Sequence, residues 1–234
     1  MRTVFLLLFL VAFSASAQNR LWLSSGVQTN VLNKKMSLGA SLSARFYDNT
    51  RWDKVFPEVS ARYNLSDYFK PSIDYRFVVN QQKNGNQISS GHRVNLNLNT
   101  GYVYERFDLK FRVRFQYKFN RFLVGPSDVY EPDFDNAIRL KPVLKYNIKG
   151  SKIDPRIEGE WFYNTVNSAS GNQFAKFRFG IGADVKLPNK NVITVKYRYD
   201  YEFNIANPQR FHILSLAHEY AYKPSKSNGK KARI

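Results

Sequence analysis

From residue 107 to residue 119 apolar and polar side chains alternate without a break. Phe107, Leu109, Phe111, Val113, Phe115, Tyr117 and Phe119 occupy every second position, with Asp108, Lys110, Arg112, Arg114, Gln116 and Lys118 between them. Successive side chains of a strand point to opposite faces, so this segment has one apolar, aromatic face and one charged face. At ~3.4 Å per residue it extends ~44 Å, whereas a globular strand averages ~5–6 residues. A strand of that length and two-faced character suits a wall with lipid on one side and water on the other.

The same alternation recurs along the chain. Leu21, Leu23, Val27 and Val31 alternate with Trp22, Ser24 and Gln28, and Met36, Leu38, Ala40, Leu42, Ala44 and Phe46 oppose Lys35, Ser37, Ser41, Ser43 and Arg45. Near the C-terminus Ile193, Val195, Tyr197, Tyr199, Tyr201 and Phe203 oppose Thr194, Lys196, Arg198, Asp200 and Glu202. Short connections (33–35, 66–70, 105, 149–152, 188–190) alternate with longer ones (48–54, 81–87, 121–136, 167–172, 204–209). This pattern predicts an all-β, antiparallel, up-and-down transmembrane β-barrel in a single domain. Eleven segments alternate in this way. Bacterial single-chain barrels have even strand numbers with both termini on the periplasmic side, so ten or twelve strands are expected. Either residues 21–31 do not span, or one strand is hidden.

The ends of the chain bear on the compartment. Arg2 precedes the apolar run Val4–Phe13, and Ala15-Ser16-Ala17 supplies small residues before Gln18. That predicts a secretory signal peptide over 1–17, a barrel over 18–222 and a solvated basic tail over 223–234. The run is shorter than the ~20 apolar residues of a membrane helix. There is no cysteine, so no disulfide framework is available. The expected location is the outer membrane of a Gram-negative bacterium, with membrane lipid and lipopolysaccharide as partners.

Composition has to be read through the alternation. The chain is 43% hydrophobic with a mean hydropathy of −0.47, an average that hides a lipid-facing surface when every second residue is polar. Its net charge of +18 raises the question of nucleic acid. The basic residues, however, alternate with aromatics and form no run or helix face, so nucleic-acid binding is not expected. A soluble sandwich or lipocalin-like barrel also alternates. Against it stand the segment lengths, the aromatics near strand ends and polar faces built of long charged side chains.

Leu21-Trp22-Leu23, Lys35-Met36-Ser37-Leu38, Asp67-Tyr68-Phe69-Lys70 leading to Tyr75-Arg76-Phe77, and the closing Ile213–Tyr222 stretch resemble domain-of-unknown-function family 2490. Those are uncharacterised proteins predicted to be outer-membrane barrels, mostly of Bacteroidetes. The resemblance extends over nearly all the chain after the leader. It implies the barrel and the compartment, and brings neither an activity nor functional residues.

Turning the aromatics to lipid turns the charges to the lumen. Sixteen Lys and Arg then face inward against eight Asp and Glu. Arg112, Arg114, Arg139, Lys141, Arg178 and Arg198 are the candidate basic wall. Two readings follow. The surplus lines a passive pore or binding barrel for small anionic or polar solutes. Alternatively, cations and acids pair across strands and fill a closed structural barrel.

Other chemistry has little to stand on. A lipid hydrolase needs a Ser activated by an oriented His. Ser89-Ser90-Gly91-His92 is the local candidate, but His92 falls on the apolar parity, as do His212 and His218. No enzymatic activity and no catalytic residue is therefore expected. Three scattered histidines and no cysteine predict neither a metal site nor a cofactor. Asp128, Glu131, Asp133 and Asp135 cluster in the loop Arg121–Asn136, which fits a solvated external loop, a Ca²⁺ site or an inward constriction.

Overall fold

The computed structural model describes residues 18–47, 51–81, 88–124, 136–165 and 171–222. The predicted signal peptide, the basic tail and the acidic cluster at 128–135 lie outside these residues. Eleven strands form the wall: β1 (Gln18–Val31), β2 (Met36–Tyr47), β3 (Arg51–Tyr63), β4 (Phe69–Gln81), β5 (Ile88–Tyr104), β6 (Phe107–Val124), β7 (Ala137–Tyr146), β8 (Ile153–Asn164), β9 (Phe174–Lys186), β10 (Asn191–Glu202) and β11 (Arg210–Tyr222). They close into a barrel in chain order, with β1 bonded to β11.

The closure corrects the expected strand number. Neighbours pair antiparallel around the wall, except that β1 and β11 run parallel, from Gln18↔Phe211 to Thr29↔Tyr222. An even count is required only when every neighbouring pair is antiparallel. One parallel seam closes an odd number, so β1 is a full member of the wall and no twelfth strand is needed. Both strands of the seam start at the rim of the longer connections, the loop rim, and end at the rim of the short ones, the turn rim.

Local sequence sets the turn rim. The β1–β2 and β9–β10 connections are single 3₁₀ turns, Leu32–Lys34 and Pro188–Lys190, with Asn33 at φ 53° and Asn189 at φ 56°. Asparagine tolerates this left-handed conformation better than most residues, because its short polar side chain bonds locally. At the loop rim the strands run further than the alternation alone indicates. β3 begins at Arg51 and β6 continues to Val124, which shortens the connections expected at 48–54 and 121–136.

The two faces separate as the parity requires. Leu42, Val59, Ile73, Leu96, Phe111, Phe115, Ile157 and Ile181 are exposed on the outside. Asp74, Asn95, Arg114, Glu158, Glu160, Arg178, Lys196 and Asp200 are buried inside. A lipocalin-type barrel would be apolar within. Here the buried apolar cluster is small, consisting of Trp22, Phe211 and Ile213 at the loop-rim end of the seam. Among the described residues no helix is long and apolar enough to cross a membrane.

Candidate functional site

The interior is organised by two carboxylates of β8. Glu158 and Glu160 are two residues apart on one strand and therefore point the same way. Across the ladder, Glu158 stands opposite Gly180, and Arg156 stands opposite Gly182. These glycines keep the space open. A Cβ at position 180 would lie 2.8 Å from Glu158 Cγ, and one at position 182 would collide with the Val195 carbonyl oxygen. The emptied volume is taken by the stem of Glu158 and by Lys196 and Arg198 of β10.

Glu158 receives four cations, one of them from its own strand: Lys141 at 3.1 Å, Arg156 of β8 at 3.2 Å, Arg198 at 3.1 Å and Lys196 at 3.6 Å. Glu160 receives Arg139 at 2.9 Å, Arg112 at 3.0 Å and Arg178 at 3.4 Å. Arg178 also grips Asp200 through Nε at 2.5 Å and Nη2 at 2.6 Å, a two-pronged contact matching guanidinium to carboxylate. A separate network crosses β4 to β6. There Arg114 bonds Asp74 at 2.6 Å and Asn97 at 2.5 Å, and Asn97 donates to Asp74 at 3.0 Å. Nearer the turn rim, Lys145 and Arg156 share Asp184, and Lys186 holds Asp154.

The six candidate wall residues therefore divide five to one. Arg112, Arg139, Lys141, Arg178 and Arg198 converge on Glu158 and Glu160, whereas Arg114 belongs to the Asp74 network. Pairing this dense follows from the physics of burial. An ion removed from water carries a penalty of several kcal/mol, offset only when partners and hydrogen bonds surround it.

Above this brace, toward the loop rim, inward aromatics interrupt the polar parity. The Trp22 ring is faced by three guanidinium groups, Arg45 at 3.9 Å, Arg178 at 4.7 Å and Arg198 at 5.1 Å from the ring centroid. Arg45 also lies 5.0 Å from the Phe56 ring, and Arg20 stacks on Phe211 at 3.5 Å. Arg178 and Arg198 have acids. Arg45 has neither a hydrogen-bond acceptor nor an ion-pair partner among the described residues, and the nearby buried Asp53 is paired with Lys54 at 3.9 Å. A guanidinium presents five N–H donors at its edge, and stacking on its face satisfies none of them. Arg45 was on the inward parity in the sequence, but its isolation was not visible there. The signal for its surroundings was available: Trp22 and Phe56 are large aromatics out of phase with the outward ones.

The histidines resolve differently. Ser89 is fully buried on the inner face, whereas His92, three residues on, faces outward with Nδ1 2.6 Å from the Tyr75 hydroxyl. His212 pairs with the Tyr197 hydroxyl. His218 has the Ser25 hydroxyl at 3.0 Å from Nδ1 and Asn191 Oδ1 at 2.9 Å from Nε2. Sequence reasoning missed this trio because Ser25 and His218 meet only across the seam, with Asn191 joining from the neighbouring β10.

Residues 19–212 match the model of a family described as Protein of unknown function (DUF2490), and the chain belongs to that family. No curated protein and no solved structure matches it.

Proposed function

We propose that this member of the DUF2490 family is an outer-membrane barrel that binds small oxyanions in a braced, basic lumen. The apolar outward face, the predicted leader and the two-faced strands support the membrane placement. The observation that carries the binding reading is Arg45. Its stacking on Trp22 and Phe56 contributes about 0.5–2 kcal/mol, while its N–H edge has no acceptor among the described residues. Phosphate or carboxylate offers the two in-plane oxygens that such an edge takes.

The brace favours a holding site over a standing conduit. Glu158, Glu160 and Asp200 are 3%, 2% and 1% exposed, so solvent does not run freely past them. Narrow barrels are filled by side chains in this way, and wide porins are not. The same brace is what favours the second reading, a closed barrel of the envelope that holds no solute.

Titration of the folded, full-length protein in zwitterionic detergent separates the two. The binding reading expects a saturable heat with inorganic phosphate, diminished by salt, and no steady conductance in a planar bilayer. No phosphate binding leaves the closed barrel. Cation-selective conductance, or partition of the folded protein into an aqueous phase, overturns the proposal.

A further inference from the structure

We infer that Ser25, His218 and Asn191 form an ester-cleaving site on the outer face of the seam, with a membrane lipid's carboxylic ester as substrate. The inference rests on the outward face meeting lipid, as proposed above, and is otherwise independent of the lumen.

The hydrogen-bond directions are fixed by chemistry from one end to the other. Asn191 Nδ2 lies 2.9 Å from the Pro188 carbonyl oxygen in the β9–β10 turn. A carbonyl only accepts, so the amide nitrogen must be on that side, and Oδ1 is turned to His218. That oxygen also only accepts, so His218 Nε2, 2.9 Å away, carries the ring proton. Nδ1 is then the bare nitrogen, and the Ser25 hydroxyl 3.0 Å away donates to it. A serine held on the lone pair of a neutral imidazole, whose tautomer is set by a third group, is the arrangement that activates a nucleophile. Here an amide oxygen does the orienting.

The fold brings the trio together in one place only. Ser25 and His218 are 193 positions apart and face each other through the parallel register of β1 and β11. Asn191 opens β10 beside them. Antiparallel closure would not produce this pairing. The neighbours on the same outward face are Leu23, Val27, Leu42 and Leu216, all exposed. Polar groups on a hydrocarbon-facing surface are unfavourable and mark function more often than decoration. His92 and His212 satisfy a ring nitrogen with tyrosine, whose hydroxyl sits at the end of a rigid ring. His218 has a serine on one ring nitrogen and a separate orienting group on the other.

The reaction balances with water as the co-reactant. Ser25 Oγ bonds to the ester carbonyl carbon as its proton passes to Nδ1 of His218. Collapse of the tetrahedral adduct breaks the ester C–O bond, and the departing alkoxide takes that proton. Water then attacks the acyl-serine, giving its proton to Nδ1, and Ser25 leaves with it as the carboxylic acid is released. Asn191 is the positioning residue, stabilising the imidazolium that forms twice per cycle.

The test uses the full chain folded in detergent micelles, with heat-modifiable migration as the folding control. A fluorophosphonate probe should label Ser25, as mapped by mass spectrometry, and a fluorogenic phospholipid ester should be hydrolysed. Ser25→Ala and His218→Gln should each lower the hydrolysis rate about a hundredfold or more, while Ser24→Ala on the inner face should leave it unchanged. Asn191→Leu should lower the rate, and Asn191→Asp should restore part of it, since a carboxylate oxygen accepts from Nε2 as the amide oxygen does. Failure of the probe to label Ser25 in the folded wild type, or hydrolysis that survives Ser25→Ala, overturns the inference while leaving phosphate binding untouched. Partition of the protein into the aqueous phase overturns both.

Discussion

The two halves of the inner wall are built from opposite materials. Along β1 and β2 the inward register carries Ser24↔Ser43 and Gly26↔Ser41, and Gly39 stands opposite Ser60 of β3, small groups that scarcely enter the lumen. Along β6–β9 the same register carries Arg112↔Lys141, Arg114↔Arg139 and Glu160↔Arg178, side chains that span much of it. Small facing large is the ordinary way of filling a volume without voids or overlaps. It also explains how a barrel can be basic and closed at once: one half supplies the charges and their acids, and the other makes room. Trp22 and Arg45 stand opposite each other and follow Ser24 and Ser43 toward the loop rim, as the first large inward groups there on β1 and β2.

The contrast sets the size of each expected effect. The largest belongs to the charged half. Glu160→Ala leaves Arg112, Arg139 and Arg178 without their shared acid and should lower unfolding stability by about 3–5 kcal/mol, read from guanidinium unfolding in liposomes. Gly180→Val in the same half overfills the space beside Glu158 and should take away about 1–3 kcal/mol in the same assay. Next comes the boundary between the halves. Arg45→Gln should weaken phosphate binding about tenfold or more while changing stability little, since the residue holds no acid; Arg45→Lys, which keeps the charge and loses the fork, should fall between. The smallest effect belongs to the small wall, where Ser43→Ala should stay within about 0.5 kcal/mol of wild type. A Ser43→Ala change as damaging as Glu160→Ala would break the comparison between the halves.

Much of this architecture was legible in the alternation. Parity alone placed Arg112, Arg139, Lys141, Arg178 and Arg198 inside, because a charged face cannot be exchanged with an aromatic one. Parity says which face a residue occupies but not its height in the barrel. That is why Arg114 could not be told apart from the five gathered at Glu158 and Glu160. The hub itself was hidden, since Glu158 and Glu160 look like any inward acids until the glycines opposite them are known. The seam was least legible. Nothing in the alternation of residues 21–31 states which strand they pair with or in which direction, so the odd count looked like an error and Ser25 and His218 remained unrelated.

The absence of cysteine allows the central claim, the orientation of the wall, to be tested by single-cysteine labelling without a background. Environment-sensitive probes at Phe115→Cys and Ser43→Cys, in protein reconstituted into vesicles, should divide cleanly. The probe at 115 should be quenched by brominated acyl chains and the one at 43 by aqueous iodide. Quenching of position 43 by the lipid, or of position 115 by iodide alone, would contradict the account.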